Sequence, residues 1–252
     1  MLPTPSTSHV DFERIYEPAE DSYLLLDTLS SETEKDFLRT RYSAAHSPSP
    51  LVVEVGTGSG VVLSFLNAHA QTILGRADIL TFGIDVNRFA CKATEQTVSV
   101  TSQEQITHDL SHGFYMGNIL GDLTNTLKAG VVDILVFNPP YVPTAELPGI
   151  PSPGENTTET SFADDSKLLA LSYAGGVDGM EITDRLLLSL PEVLSHQTGC
   201  AYILLCAQNK PDKVKERIKG WGSGWKAETV STSGKKGGWE KLQIIRIWRE
   251  NA

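Results

Sequence analysis

Apolar residues in this chain gather into short continuous runs, and between the runs they recur at helical spacing. Runs at 51–55, 79–84, 113–117, 131–137 and 201–206 are expected strands, the fourth being the most apolar. Helical patterns follow at 61–69, 87–98, 178–194 and 210–219, the last of them basic and amphipathic. From Glu20 onward, Tyr23, Leu24, Leu26 and Leu29 keep near i, i+3, i+4 spacing, and the charged stretch to Arg41 continues or follows that helix. Ser47-Pro48-Ser49-Pro50 then breaks the pattern. Continuous apolar strands alternating with helices imply a parallel sheet covered on both faces. Two further runs, 227–231 and 242–248, are expected to close it as an antiparallel hairpin. The expected class is therefore α/β and Rossmann-like, a seven-stranded, mostly parallel sheet with helices on both faces.

Residues 1–10 are rich in Pro, Ser and Thr and are expected to form a disordered leader. Residues 11–252 read as a single domain whose first part, 11–50, is a short helical extension. The segment 142–167 holds Pro143, Pro148, Pro151 and Pro153 and has no clear pattern. An irregular loop longer than about 15 residues is usually functional or disordered, and this one follows the most apolar strand. It is a candidate substrate loop, although its portion 154–160 reads equally as a variable surface insertion.

Composition narrows the field. A length of 252 residues fits one α/β domain. The formal net charge of -10 opposes a non-specific grip on nucleic acid, which needs Lys and Arg against phosphates. The cysteines Cys91, Cys200 and Cys206 form no CxxC pair, so neither a metal site nor a disulfide framework is expected. No basic stretch leads into an apolar segment near the N-terminus, and no apolar run approaches the ~18 residues a membrane helix needs. The expected location is cytoplasmic or nuclear.

The first strand runs into Glu54-Val55-Gly56-Thr57-Gly58-Ser59-Gly60. Glycines there let the backbone turn sharply and approach a ligand, and Gly60 opens the next helix. In open α/β sheets, ligands sit beyond the carboxyl ends of the strands. The second strand leads to Asp85, whose carboxylate can accept from both hydroxyls of a ribose. That also fits a nicotinamide site. The glycine spacing separates the two. A dinucleotide fingerprint, GxGxxG, sets pyrophosphate on the helix N-terminus, whereas here the third glycine comes one residue early and Glu54 precedes the turn. An acidic, crowded turn disfavours pyrophosphate and suits the zwitterionic methionine end of S-adenosylmethionine, the expected cofactor. The fold class is accordingly that of class I S-adenosylmethionine-dependent methyltransferases. After the third strand, Asn118 can accept from the adenine amino group in place of the usual aspartate, with Ile119 as an apolar wall.

The fourth strand ends in Asn138-Pro139-Pro140-Tyr141. The prolines fix φ and remove two donors while keeping their carbonyls as acceptors. A residue before proline is pushed toward extended geometry, which lets the Asn138 amide project. The Asn138 side-chain oxygen and the Pro139 carbonyl can then accept from one planar NH2 group, with Tyr141 offering an aromatic face. The expected chemistry is methyl transfer to an amide or amine nitrogen.

With these residues in place, the chain resembles the HemK-type protein-glutamine N5-methyltransferases, in their eukaryotic branch. Three blocks carry the resemblance: Tyr16-Glu17-Pro18-Ala19-Glu20-Asp21-Ser22, the Glu54–Gly60 turn with Asp85, and Asn138–Tyr141. Ala174-Gly175-Gly176, Gly179 and Asp184-Arg185 also look like that branch. The resemblance implies a glutamine substrate in the Gly-Gly-Gln loop of the class 1 translation termination factor, with Ser22 near the methionine end of the cofactor. It also implies a heterodimer with a small zinc-binding activator, seated at the edge of the third strand near Phe114 and Tyr115. An uncovered edge strand risks aggregation, although those two aromatics could equally pack on a helix. Bacterial members carry a helical substrate-binding domain before the glycine turn, and the roughly 50 residues ahead of Gly56 are too few for one.

Other readings share parts of this pattern. The same turn serves N6-adenine DNA methyltransferases and gives the family a nucleic-acid-binding association. Those enzymes must flip a base and hold phosphates, and the clusters at 213–219 and Lys235-Lys236 are too small to offset the acidic balance. A lysine methyltransferase would need a substrate that first loses a proton. A cofactor-binding scaffold without activity is the non-enzymatic alternative, and the intact motifs oppose it.

Overall fold

In the computed structural model, residues 2–43, 48–150, 162–222, 224–234 and 241–250 are described. The strands are β1 (Leu51–Val55), β2 (Leu80–Asp85), β3 (Phe114–Leu120), β4 (Ile134–Phe137), β5 (Cys200–Cys206), β6 (Trp225–Thr232) and β7 (Leu242–Arg249). They form one sheet in the order β3-β2-β1-β4-β5-β7-β6. The first five are parallel, and β7 is antiparallel to both β5 and β6. The order reverses between β1 and β4, which opens a crevice at their carboxyl ends.

The helices are α1 (Glu20–Leu29), α2 (Glu32–Arg41), α3 (Val61–Ala68), α4 (Ala70–Leu74), α5 (Arg88–Thr107), α6 (Phe162–Ala170), α7 (Glu181–Val193) and α8 (Pro211–Lys219). Alternation along each strand divides the core into two layers. Val52, Ile134, Tyr202 and Ile244 face the layer of α1 to α4. Val53, Leu135, Ile203 and Ile245 face that of α7 and α8. β4 and β5 are buried along their whole length, which accounts for their unbroken apolar runs. No helix among the described residues is long and apolar enough to cross a membrane.

The structure departs from the sequence pattern in four places. The leader is not a loose tail. Leu2 packs against the core, the Pro3 carbonyl accepts from His69 Nε2 at 2.8 Å, and Val10 and Ile15 are buried against Ala93. Second, α5 runs nine residues beyond the expected end at Val98, through a Thr- and Ser-rich stretch of weak helix propensity. Thr97, Thr101 and Thr107 each donate to the carbonyl four residues earlier, so their hydroxyls are satisfied within the helix. Third, β3 continues past Gly117 to Leu120, with a bulge at Met116. Fourth, α6 begins inside the expected loop 142–167, while residues 151–161, with Pro151, Pro153 and the portion 154–160, lie outside the described residues. Ser47, Lys235 and Lys236 do so too.

β3 ends one side of the sheet with Phe114 65% and Met116 53% exposed, so Phe114 does not pack on a helix. Tyr115 is half-buried, and its hydroxyl accepts from Asn118 Nδ2 at 2.5 Å.

A buried ion pair ties the helical extension to the sheet. Glu34, 1% exposed, accepts from Arg246 Nη1 at 2.8 Å and from the Tyr202 hydroxyl at 2.7 Å. The Arg246 guanidinium also lies 3.8 Å from the Phe37 ring centroid. Removing one member of such a pair strands the other charge. Glu34→Ala is expected to lower unfolding free energy by about 3–5 kcal/mol, measured by denaturant titration.

Candidate active site

A cavity of about 240 Å³ lies at the β1–β4 crevice. Of the expected site residues, it is lined by Ser22, Glu54, Gly56, Thr57, Gly58, Asp85, Asn138, Pro140 and Tyr141. These come from four separate stretches of sequence: three stand at the ends of β1, β2 and β4, and Ser22 comes from α1. Gly60, Asn118, Ile119 and Pro139 are not part of the lining.

Asp85 holds the glycine turn. Its carboxylate accepts from Gly58 N at 3.0 Å and from Asn87 N at 2.8 Å. Burial pushes its pKa up, while those amides, the Thr57 hydroxyl and Val86 N pull it back. The ribose role expected of Asp85 therefore shares the group with a structural one. Glu54 Oε2 accepts from Leu63 N at 2.9 Å and so satisfies a free amide in the first turn of α3. Burial raises the Glu54 pKa well above the carboxylate range, opposed by that amide and reinforced by Asp85. Gly60 stands outside the lining and serves packing. It has φ +78°, and a Cβ there would lie 2.6 Å from Thr94 Cα, so the turn can rest on α5 only without a side chain.

Asn138 Oδ1 is buried and has no hydrogen-bond partner. A buried acceptor without a donor costs about 1–3 kcal/mol, and because Asn138 belongs to the cavity lining it is the candidate receptor for an N–H brought by a ligand. Pro139 is buried and stands outside the cavity lining. Of the two acceptors expected there, the structure brings Asn138 alone to the cavity. The Tyr141 hydroxyl lies 3.5 Å from Asp21 Oδ2. Burial first, then the nearby Asp21, pushes the phenols of both Tyr141 and Tyr16 well above their ordinary value, so both stay protonated.

Asn118, expected at the adenine, stands outside the cavity lining, and the cause is its place in β3. The strand continues through it, paired with Gly83, and its Nδ2 donates to the Cys91 carbonyl at 2.8 Å. Ile119 is 38% exposed on the same strand. The residues that follow β3 and do line the cavity are Gly121, Asp122 and Leu123. Asp122 is ion-paired with Arg185, which also lines it.

Sequence reasoning also passed over Tyr16 and Asp21, although both stand in the block that singled out Ser22. Arg14, in the lining, pairs with Asp165 of α6 at 2.8 Å and joins the N-terminal segment to the wall formed by Leu168, Leu171 and Tyr173. That wall is laced to the Asn138–Tyr141 turn by backbone bonds, Val142 N to Tyr173 O at 2.9 Å and Gly175 N to Val142 O at 2.8 Å.

No family model matches the chain. It is 36% identical over 99% of its length, and 96% of the relative's, to the eRF1 methyltransferase catalytic subunit mtq2 of Schizosaccharomyces pombe. It is 32% identical over 98% of its length, and 96% of the relative's, to methyltransferase HEMK2 of Mus musculus. Among solved structures, the E. cuniculi Mtq2–Trm112 complex, responsible for methylation of the eRF1 termination factor, aligns with a TM-score of 0.54 at 21% identity. That alignment covers 94% of this chain and 99% of the other and shows a shared fold.

Glu54 yields a pH test. Its raised folded-state pKa means the folded protein keeps a proton that the unfolded chain releases, so stability falls as pH rises above the ordinary carboxylate value. Within that window the slope is roughly 1.4 kcal/mol per pH unit. Glu54→Gln has no proton to lose. The stability difference, variant minus wild type, is expected to be more positive near pH 8 than near pH 5 in thermal unfolding of the ligand-free protein.

Proposed function

The chain belongs to the family of eRF1 methyltransferase catalytic subunits and HEMK2 methyltransferases, and on that footing we propose that it methylates the N5 nitrogen of a glutamine side chain in the Gly-Gly-Gln loop of the class 1 termination factor. The observation that carries the reading is the buried, unpartnered Asn138 Oδ1 in a cavity shared with Tyr141. The kinship to a protein named for methylating eRF1 supports the choice of substrate.

An amide nitrogen is a weak nucleophile because its lone pair is delocalised into the carbonyl. Asn138 Oδ1, accepting one N–H, raises electron density on that nitrogen and favours pyramidal geometry. The same contact stabilises the positive charge that develops during alkylation. Tyr141 packs against the planar group and limits its rotation. Positioning of this kind contributes about 7–11 kcal/mol in well-aligned systems. No strong base is needed beforehand, since the N–H becomes acidic only once nitrogen is alkylated.

The cofactor in this reading is S-adenosylmethionine, which when bound supplies an electrophilic methyl group on its sulfonium. The residues present fit it. Glu54 is a buried carboxyl beside the glycine turn that can ionise against an ammonium, and Asp85 stands at the end of β2 for ribose hydroxyls. For the partner, the reading places a small zinc-binding activator over the β3 edge. What supports this is the exposed apolar set Phe114, Met116 and Leu120 on a strand with one side unpaired.

Two outcomes are expected. Asn138→Ala should lower kcat on purified termination factor by about 100- to 1,000-fold, a loss typical of removing one transition-state contact. Calorimetry should show cofactor affinity nearly unchanged. Mass spectrometry of the wild-type product would place the methyl on glutamine, and a methyl on lysine, or near-normal turnover by the variant, would sink the mechanism. The protein expressed alone should be poorly soluble and be rescued by co-expression with the activator. Monodisperse, fully active material without any partner contradicts that.

A further inference from the structure

Two consecutive prolines leave the turn after β4 short of amide donors, so its anchorage falls on its carbonyls. The carbonyl leading out of the turn, that of Tyr141, accepts from Asn209 Nδ2 at 3.0 Å. The same nitrogen lies 2.9 Å from Asp178 O and 3.3 Å from Gly179 O. Asn209 Oδ1 accepts from Cys206 N at 2.7 Å, which ties the side chain to the end of β5. A side-chain amide has two N–H donors, so three carbonyls share two protons and no donor is left over. Asn209 is 2% exposed and is not part of the cavity lining.

The geometry leaves little room for any other anchor. A Cβ on Gly179, at φ +68°, would sit 2.0 Å from Tyr141 O, so the two backbones are in direct contact. With their carbonyls gathered at one point, they repel unless a donor stands between them; Asn209 supplies donors to all three, while the Cys206 thiol adds only a longer contact, 3.9 Å, to the Tyr141 carbonyl.

We propose that Asn209 is a positioning residue for the catalytic turn: by holding the Tyr141 carbonyl against segment 178–179, it sets the aim of Asn138 and Tyr141 into the cavity. The proposal rests on the function given above and adds to it a residue that never touches substrate.

The test is Asn209→Asp, which keeps the shape and the acceptor but replaces the donors. As a carboxylate it would face three carbonyl oxygens with nothing to give. Protonated, it regains one O–H donor, and burial favours that neutral form under mildly acidic conditions. The titratable groups nearby are the Cys206 thiol, the Tyr141 hydroxyl with Asp21, and the Asp178–Lys210 ion pair at 2.6 Å. At about pH 8 the variant should lose about 100-fold in kcat, the penalty expected of a small misplacement, with cofactor affinity unchanged. Activity relative to wild type should recover toward about pH 5.5, and hydrogen exchange at the Val142 and Gly175 amides should follow the same course. Asn209→Ala should show the loss without the recovery. If Asn209→Asp does not fold, Asn209→Ser, with a single hydroxyl donor, should fall between wild type and Asn209→Ala in both readouts. Wild-type exchange and turnover at about pH 8, or equal losses in kcat and cofactor affinity, overturn the proposal. A wild-type enzyme that leaves the termination factor unmodified overturns the proposed function instead, and the exchange measurement then decides the role of Asn209 by itself.

Discussion

An oxygen held out of water with no donor is unfavourable, and Asn138 Oδ1 is held that way. Much of the surrounding structure makes that arrangement persist. β4 is packed on both faces, which removes the freedom to rotate the strand end toward solvent. The prolines stiffen the exit, and the segment from Tyr173 to Gly176 locks it through backbone bonds. Asp21 and Tyr16 close in on Tyr141 from the N-terminal side. The site is pre-organised because relaxing it would require several packed elements to move together.

The parts of this arrangement readable in sequence are those encoded locally. The apolar runs at 51–55 and 201–206, the glycine turn, Asp85 and the Asn138–Tyr141 turn lie on contiguous residues whose chemistry states their purpose. What escaped reading depends on contacts between distant residues. Gly117 and Asn118 look like the end of a strand, because both residue types disfavour sheets, yet pairing with β2 carries the strand through them. That shift of a few residues replaced Asn118 and Ile119 at the cavity with Asp122 and Leu123. The leader has the composition of a tail, but Leu2 and Val10 find apolar partners far along the chain. Gly60, read as cofactor-binding, and Pro139, read as catalytic, both stand outside the cavity lining.

The balance between glutamine and other planar NH2 groups is not set by the turn alone. Nothing in an Asn oxygen beside an aromatic ring distinguishes a side-chain amide from an exocyclic base amine. The discrimination rests on the rest of the molecule: an acidic net charge of -10, which repels a phosphate backbone, and a cavity lined in part by the apolar Leu147, Pro148 and Ile150.

The pairing of Arg14 with Asp165 spans 151 positions of sequence. It joins the cavity's earliest wall to one of its latest, and the intervening strands must already be ordered for the two to meet. Contacts of such long range form slowly, because the loop they close is long. On a chain emerging from the ribosome, the segment around Tyr16 therefore waits for more than half of the protein before it has a surface to settle on. Early in that interval the apolar residues Val10 and Ile15 also lack their partner Ala93, which arrives with α5. The cavity therefore gains this link between its N-terminal and α6 walls only after about two thirds of the chain has been made.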